Sequence, residues 1–219
     1  MLGLKRGKVK LSLYNPKWAE FFEKEKKMLQ KSLRKMIIDI QHVGSTAVSG
    51  ISAKPIIDIA VAVPELSRKE PEKYIKPLKK VGYEYRGEDR PREHLFVKGG
   101  EEKRICYLHM VKFDSKAWKN YLLFRDYLRT HKKIAAEYAK LKLELAKKFS
   151  GNRKLYTAGK DKFIQKVLKK LKNNQNLGRN WRQNKARKLG VLERQVNANF
   201  SKTLRSGMQS ERRLFITDF

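Results

Sequence analysis

Val43, Gly44 and Ser45 close one apolar run of this chain and Asp58 stands on the next, with residues 46–57 between them. A glycine and a serine at the end of a strand can turn backbone N–H groups and a hydroxyl toward a phosphate. A carboxylate on the following strand can hold a divalent metal against the same phosphates. Together these are the parts of nucleotidyl transfer, with Gly44, Ser45 and Thr46 cradling a triphosphate and Asp58 binding Mg²⁺. A complete pattern carries a second carboxylate two residues on, where this chain has Ala60. One aspartate holds a pair of bridging metal ions poorly. A noncatalytic phosphate-binding cleft therefore stands open beside an active one.

Other side chains join this set by position. His42 and His109 lie on apolar runs that would flank the site, where a neutral imidazole can ligate a metal or pass a proton, or simply be satisfied within a strand. Lys54 would neutralise a phosphate or pair with Asp58. Asp58 itself is a metal ligand, or a strand aspartate capping a neighbouring helix; inside so apolar a run its charge needs a partner. Arg92, His94 and Lys98 are candidates for further anion contacts, and Tyr156 and Lys160 in YTAGK for reaching the cleft from a late helix. Arg125, Asp126 and Arg129 are spaced for ion pairs along one helix.

The elements that must position these residues follow from periodicity. VKLSL at 9–13 is a short strand or extended lead-in, and Asn15-Pro16 opens a helix over 17–35. Strands are expected at 36–43 and along IIDIAVAV to residue 63, separated by the small-residue loop 44–53. A helix follows at 65–81, capped, kinked or divided by Pro71 and Pro77. Further strands are expected at 83–86, 94–98 and 104–113, the last two joined by a turn at Gly99-Gly100. The charged stretch RGEDRPRE between the first two reads as a mobile loop. Helices at 117–130, 133–149 and 157–172 complete an α/β (α+β) chain with a mixed sheet, flanking helices and a C-terminal helical part. The predicted domain is 1–172, and 173–219 is a basic, disordered extension.

Of 219 residues, 53 are Lys or Arg and 22 Asp or Glu, a formal charge of +31. The extension holds ten of the former and three of the latter, so most of the excess lies upstream. Such a field draws in nucleotides, nucleic acid and other polyanions without choosing among them, and many of these lysines simply solvate helices. RNA binding by the basic surface is thus a third reading. Cys106 is the lone cysteine, which excludes an internal disulfide and fits a reducing, cytoplasmic setting. No apolar run has the length of a signal peptide or a membrane span. Oligomeric state stays open.

YNPKWAEFFEKE, HVGSTAVSGISAKPIIDIAV, CYLHMV, FRDYLRTH, EYAKLKLELAKKF and YTAGKDKFI, in this order over about residues 7–172, resemble the GrpB proteins. A related domain is fused to some dephospho-CoA kinases. The resemblance implies a nucleotidyltransferase-like fold without an assigned activity, and a signature falling on His42, Gly44, Ser45, Thr46, Lys54 and Asp58. It also brings a CoA-type phosphate into view as a ligand. Three positions depart from the family pattern: Ser49 for a usual proline, Tyr107 for the first residue of a common His-x-His pair, and Lys132 where proline is frequent after His131.

Overall fold

The computed structural model of the chain describes residues 2–66 and 72–173. Contacts divide the chain into two units, Met1–Leu168 and Lys169–Phe219. The expected disordered extension lies outside the described residues from 174 on, as do Pro71 and its neighbours. All the strands described below belong to the first unit.

Asn15 starts helix α1 (Lys17–Leu33) by accepting the Lys17 N–H on its side-chain oxygen at 3.0 Å. Trp18, Phe22, Leu29 and Leu33 recur at three-to-four spacing and form one buried stripe. A turn of 3-10 helix, Arg34–Met36, ends the helix. Strand β1 (Asp39–Val43) follows, then β2 (Ile57–Val63), α2 (Glu72–Lys80), β3 (Tyr83–Arg90), β4 (Glu93–Lys98) and β5 (Cys106–Lys112). Helices α3 (Lys116–Thr130), α4 (Lys132–Lys148) and α5 (Arg153–Asn173) close the sequence of elements. The expected strand at 9–13 is extended chain with one bridge, Ser12 to Ala53.

The five strands form one mixed sheet in the order β1-β2-β5-β4-β3. β2 and β5 run parallel, and the other pairs are antiparallel. Because side chains alternate along a strand, this register sorts residues onto two faces. Ile57, Ile59, Val61 and Val63 of β2, with Cys106, Leu108 and Met110 of β5, pack under α1 and α2. Ala60 and Ala62 of β2, with Val111 of β5, pack under Trp118 of α3 on the other face. Asp58 and His109 share that second face by the same alternation.

The charged stretch 86–93 corrects the sequence reading. It is not a loop: β3 runs through it to Arg90, and β4 begins at Glu93 after a turn at Pro91 and Arg92. β3 is an edge strand with register shifts between Tyr85 and Glu88 and again before Arg90, and residues 88–90 are exposed. Charges on a bulged edge strand block pairing with another chain, so polarity here marks an edge and not a loop. Arg92 makes the turn with a φ of +63°, its N–H donated to the Glu88 carboxylate.

Candidate functional site

Between the sheet, α3 and the Arg153–Leu168 part of α5 lies a cavity of about 650 Å³, within the range of small-ligand sites. Its floor carries Asp58 and His109, and its rim the turn Gly44–Thr46 with Lys54. Lys160 enters from α5. With Tyr156, also from α5, eight of the candidates singled out in the sequence thus line one space.

Four other candidates do not line it. His42 pairs across strands with Ile59 and so shares the α1 face, where it stacks on Phe22 at 4.8 Å. Its Nε2 lies 2.9 Å from the Thr46 hydroxyl, and burial, with Arg129 and Arg125 nearby, pushes its pKa down to about 4 against the pull of Asp58. It braces the turn from behind, on the sheet face away from Asp58. Arg92 is exposed at the β3–β4 turn. His94 and Lys98 also fall on the α1 side: His94 meets the Tyr85 hydroxyl at 2.7 Å, and Lys98 pairs with Glu25 at 2.7 Å.

Gly44 shows why the turn needs glycine. Its φ is +69° and ψ −166°, a region open almost only to glycine. A Cβ placed there would stand 2.5 Å from Asp58 Oδ2. Backbone and carboxylate can approach this closely only because no side chain intervenes. Ser45–Ala47 then form a single 3-10 turn.

Helices α3 and α4 hold this turn in place. Arg125 donates to the His42 carbonyl at 2.9 Å and to Gln41 at 2.8 Å, while Arg129 donates to the Ala47 carbonyl at 2.9 Å. The expected ion pairs with Asp126 also form, at 2.7 and 3.6 Å. On α4, the Tyr138 hydroxyl hydrogen-bonds Ser45, and one turn on Lys142 donates to the Ser52 carbonyl. The two residues pin both ends of the loop. Lys142 is 1% exposed, and burial, then the charge of Lys160, lowers its pKa to about 7.

A pH test follows from Lys142. Its folded pKa lies below its unfolded value, so the penalty of burying its charge is fully present below pH ~7 and is relieved as pH rises toward the ordinary lysine value. Lys142→Met should therefore gain relative to wild type at pH 6.5 and lose that gain by pH 10, read as urea midpoints. A difference between the two proteins that does not move with pH refutes this.

At the floor, His109 is held between two carboxylates. Its Nδ1 lies 2.9 Å from Glu93 Oε1 and its Nε2 3.5 Å from Asp58 Oδ1. Glu93 Oε1 also accepts the Tyr121 hydroxyl of α3 at 2.6 Å. Burial lowers the His109 pKa, but the hydrogen bonds and charges of Asp58 and Glu93 outweigh it and bring the pKa up to about 9. Burial likewise raises Asp58 and Glu93, and His109 overcomes it in both, leaving each below the usual carboxylate range. Lys54 and Lys160 add to the effect on Asp58.

The roof is cationic and aromatic. Lys54 and Lys160 lie over the Tyr156 ring at 5.4 and 4.6 Å, and Arg153 lies over Tyr107 at 4.7 Å. Among the described residues, neither lysine has a carboxylate within ion-pair distance. Burial, the neighbouring Lys160 and Arg153 push Lys54 down to about 8 despite Asp58. Lys160 is lowered by burial first, with Arg153 and Arg90 adding to it against Asp58 and Asp161.

Sequence reasoning missed Glu93, Tyr121, Tyr138 and Arg153. Glu93 had one usable signal: it heads EHLFVK, where alternation puts it on the face of Leu95 and Val97 and opposite His94. The magnesium site expected at Asp58 lacks a matching donor set. Ala60 is fully buried in the cluster under Trp118, and of the other carboxylates that line the cavity, Glu93, Asp89 and Asp161, Glu93 is already engaged by His109 and Tyr121. Among the described residues no group of three or more His, Cys, Asp or Glu is arranged to hold a metal.

Fold and site together define an α+β protein in which one aspartate-bearing strand of a mixed sheet faces a cleft walled by cations and aromatic rings. The family profile described as GrpB protein matches residues 8–170, and the chain belongs to that family. It is 35% identical over 176 residues to the glutamate-rich protein GrpB of Alkalihalophilus pseudofirmus, covering 78% of this chain and all of that protein. It is 38% identical over 175 residues to the UPF0157 protein YqkA of Bacillus subtilis, covering 77% of this chain but only about half of that protein. The crystal structure of GrpB from Enterococcus faecalis superposes with a TM-score of 0.67 at 33% identity, over 78% of this chain and 99% of that one. The likeness to Cid1 poly(U) polymerase is faint, with a TM-score of 0.46 and 15% identity over 63% of this chain and 43% of that one. No helix among the described residues is long and apolar enough to cross a membrane.

Proposed function

We propose that the cleft binds a nucleotide or another phosphorylated small molecule by its phosphate groups. The observation that carries this reading is the set Lys54, Lys160 and Arg153, gathered around one cavity whose carboxylates, Asp58 and Asp161 among them, do not offset the mutual charge of the lysines and arginine. Bringing such charges together is costly while the cleft is empty, and the depressed pKa values of both lysines register that cost. A polyanion removes it. The turn Gly44–Thr46 would add N–H and hydroxyl donors, and the rings of Tyr107, Tyr121 and Tyr156 would cover the nonpolar part of the ligand.

Binding without group transfer is favoured over nucleotidyl transfer, because Ala60 belongs to the core and not to the cleft. Calorimetry with nucleoside triphosphates, CoA and inorganic tripolyphosphate tests the reading, with pyrophosphate release followed alongside. Lys54→Met and Lys160→Met should each weaken binding about tenfold or more, as loss of a charge-assisted contact requires. Absence of binding by every phosphate compound, or an unchanged affinity in the double variant, would sink the proposal. Pyrophosphate release abolished by Asp58→Ala would establish transfer instead.

A further inference from the structure

The arrangement around Asp58 bears on how its ligand is bound. On the parallel pair of strands, Ala60 stands opposite His109 and Asp58 opposite Tyr107. The position where a second carboxylate is expected therefore faces a histidine across the ladder and is closed over by Trp118. His109 reaches past it to Asp58 on one side and Glu93 on the other. A carboxylate oxygen thus stands at each ring nitrogen, at 2.9 and 3.5 Å, so both sides of the imidazole are taken by protein groups.

Glu93 lines the same cavity but is already engaged. Its side chain is 2% exposed, and the oxygen that faces His109 also takes the Tyr121 hydroxyl. Asp58 is one-third exposed, and although Asp89 and Asp161 also line the cavity, no three His, Cys, Asp or Glu side chains among the described residues are grouped to hold a metal. A divalent ion beside Asp58 would also stand among Lys54, Lys160 and Arg153, all lining the same cavity. These like charges oppose a second cation in a partly buried site.

We propose that this cleft takes its phosphorylated ligand as the metal-free anion, with the His109 ring spanning Asp58 and Glu93 and so occupying the carboxylates a divalent ion would need. Lys54, Lys160 and Arg153 then supply the positive charge. The proposal rests on the phosphate reading for its ligand, but its statement about Asp58 stands apart from it.

Two measurements on the full-length protein test it. Mn²⁺ alone is titrated in and the free-ion signal followed by electron paramagnetic resonance; wild type and Asp58→Asn are expected to give the same curve. Inorganic tripolyphosphate is then titrated calorimetrically in EDTA and in excess Mg²⁺, with an affinity in EDTA equal to or tighter than that in Mg²⁺. Mn²⁺ capture by wild type that Asp58→Asn abolishes overturns the proposal, as does binding about tenfold tighter in Mg²⁺ than in EDTA. Should tripolyphosphate bind under neither condition, the phosphate reading falls and takes the ligand half of this proposal with it. The Mn²⁺ curve alone then decides whether Asp58 is a metal site.

Discussion

Glu93→Gln should cost about 3 kcal/mol of stability near neutral pH, the low end for breaking a buried ion pair, since glutamine keeps the shape and can still accept from Tyr121. The loss should depend on pH in a defined way. His109 has a folded pKa of about 9 against an ordinary 6.5, so the stability it contributes is fully present below pH ~6.5 and disappears as pH rises through about 9. Glu93 runs the opposite way. Its folded pKa is depressed, so its contribution is present above the ordinary carboxylate value and is lost as pH falls through the folded one. The gap between wild type and Glu93→Gln should thus be widest between about pH 5 and 6.5 and close toward both extremes. Urea unfolding at a series of pH values measures it directly. A gap of constant size would mean that Glu93 and His109 do not form a charged pair. An NMR titration of the His109 ring provides a second check, with its pKa expected to fall in the variant.

Gly44→Ala should be the more damaging change in the cleft itself. The backbone conformation at this position costs a side-chain-bearing residue about 1–3 kcal/mol, and the added methyl group would meet the Asp58 carboxylate at 2.5 Å and its Cβ at 3.0 Å. Relief requires either the turn or Asp58 to move. Overpacking of this kind adds about 1–3 kcal/mol. Moving Asp58 breaks its approach to His109, while moving the turn pulls on Arg125, Arg129 and Tyr138, which hold it from α3 and α4. The variant should show a lowered urea midpoint and, where it remains folded, lost affinity for tripolyphosphate. An unchanged midpoint would show that the turn has more freedom than its hydrogen bonds suggest. Gly50→Ala serves as control: it also has a positive φ, of +79°, but open space around the Cβ position, so only the backbone cost should appear.

Much of the fold was legible because local pattern and tertiary role agree. The stripe of Trp18, Phe22, Leu29 and Leu33 marks a helix that lies on a sheet, and the β-branched run through Asp58 marks the strand that lies inside it. The charged stretch 86–93 misled because an exposed edge strand and a loop share the same polar composition. Only the pairing of Glu88 with His94 and of Arg90 with Glu93 distinguishes them. The choice of His94 and Lys98 over Glu93 failed for a related reason. Facing is decided by register with β5, and the connection from residue 99 to 105 is too long for a turn type to fix that register.

The sequence by itself determined most of the elements, the family, and the closeness of Gly44 to Asp58, because each depends on residues near one another in the chain or on a pattern of types in order. Tertiary structure alone decided which charges meet. Side-chain facing depends on strand register, so His42 and His109, equal candidates on separate runs, fall on opposite faces of one sheet. Lys54, Arg153 and Lys160 converge only because α5 crosses over the cleft. Glu93, with no motif around it, becomes the buried partner of His109 because β4 and β5 pair in one register and not another.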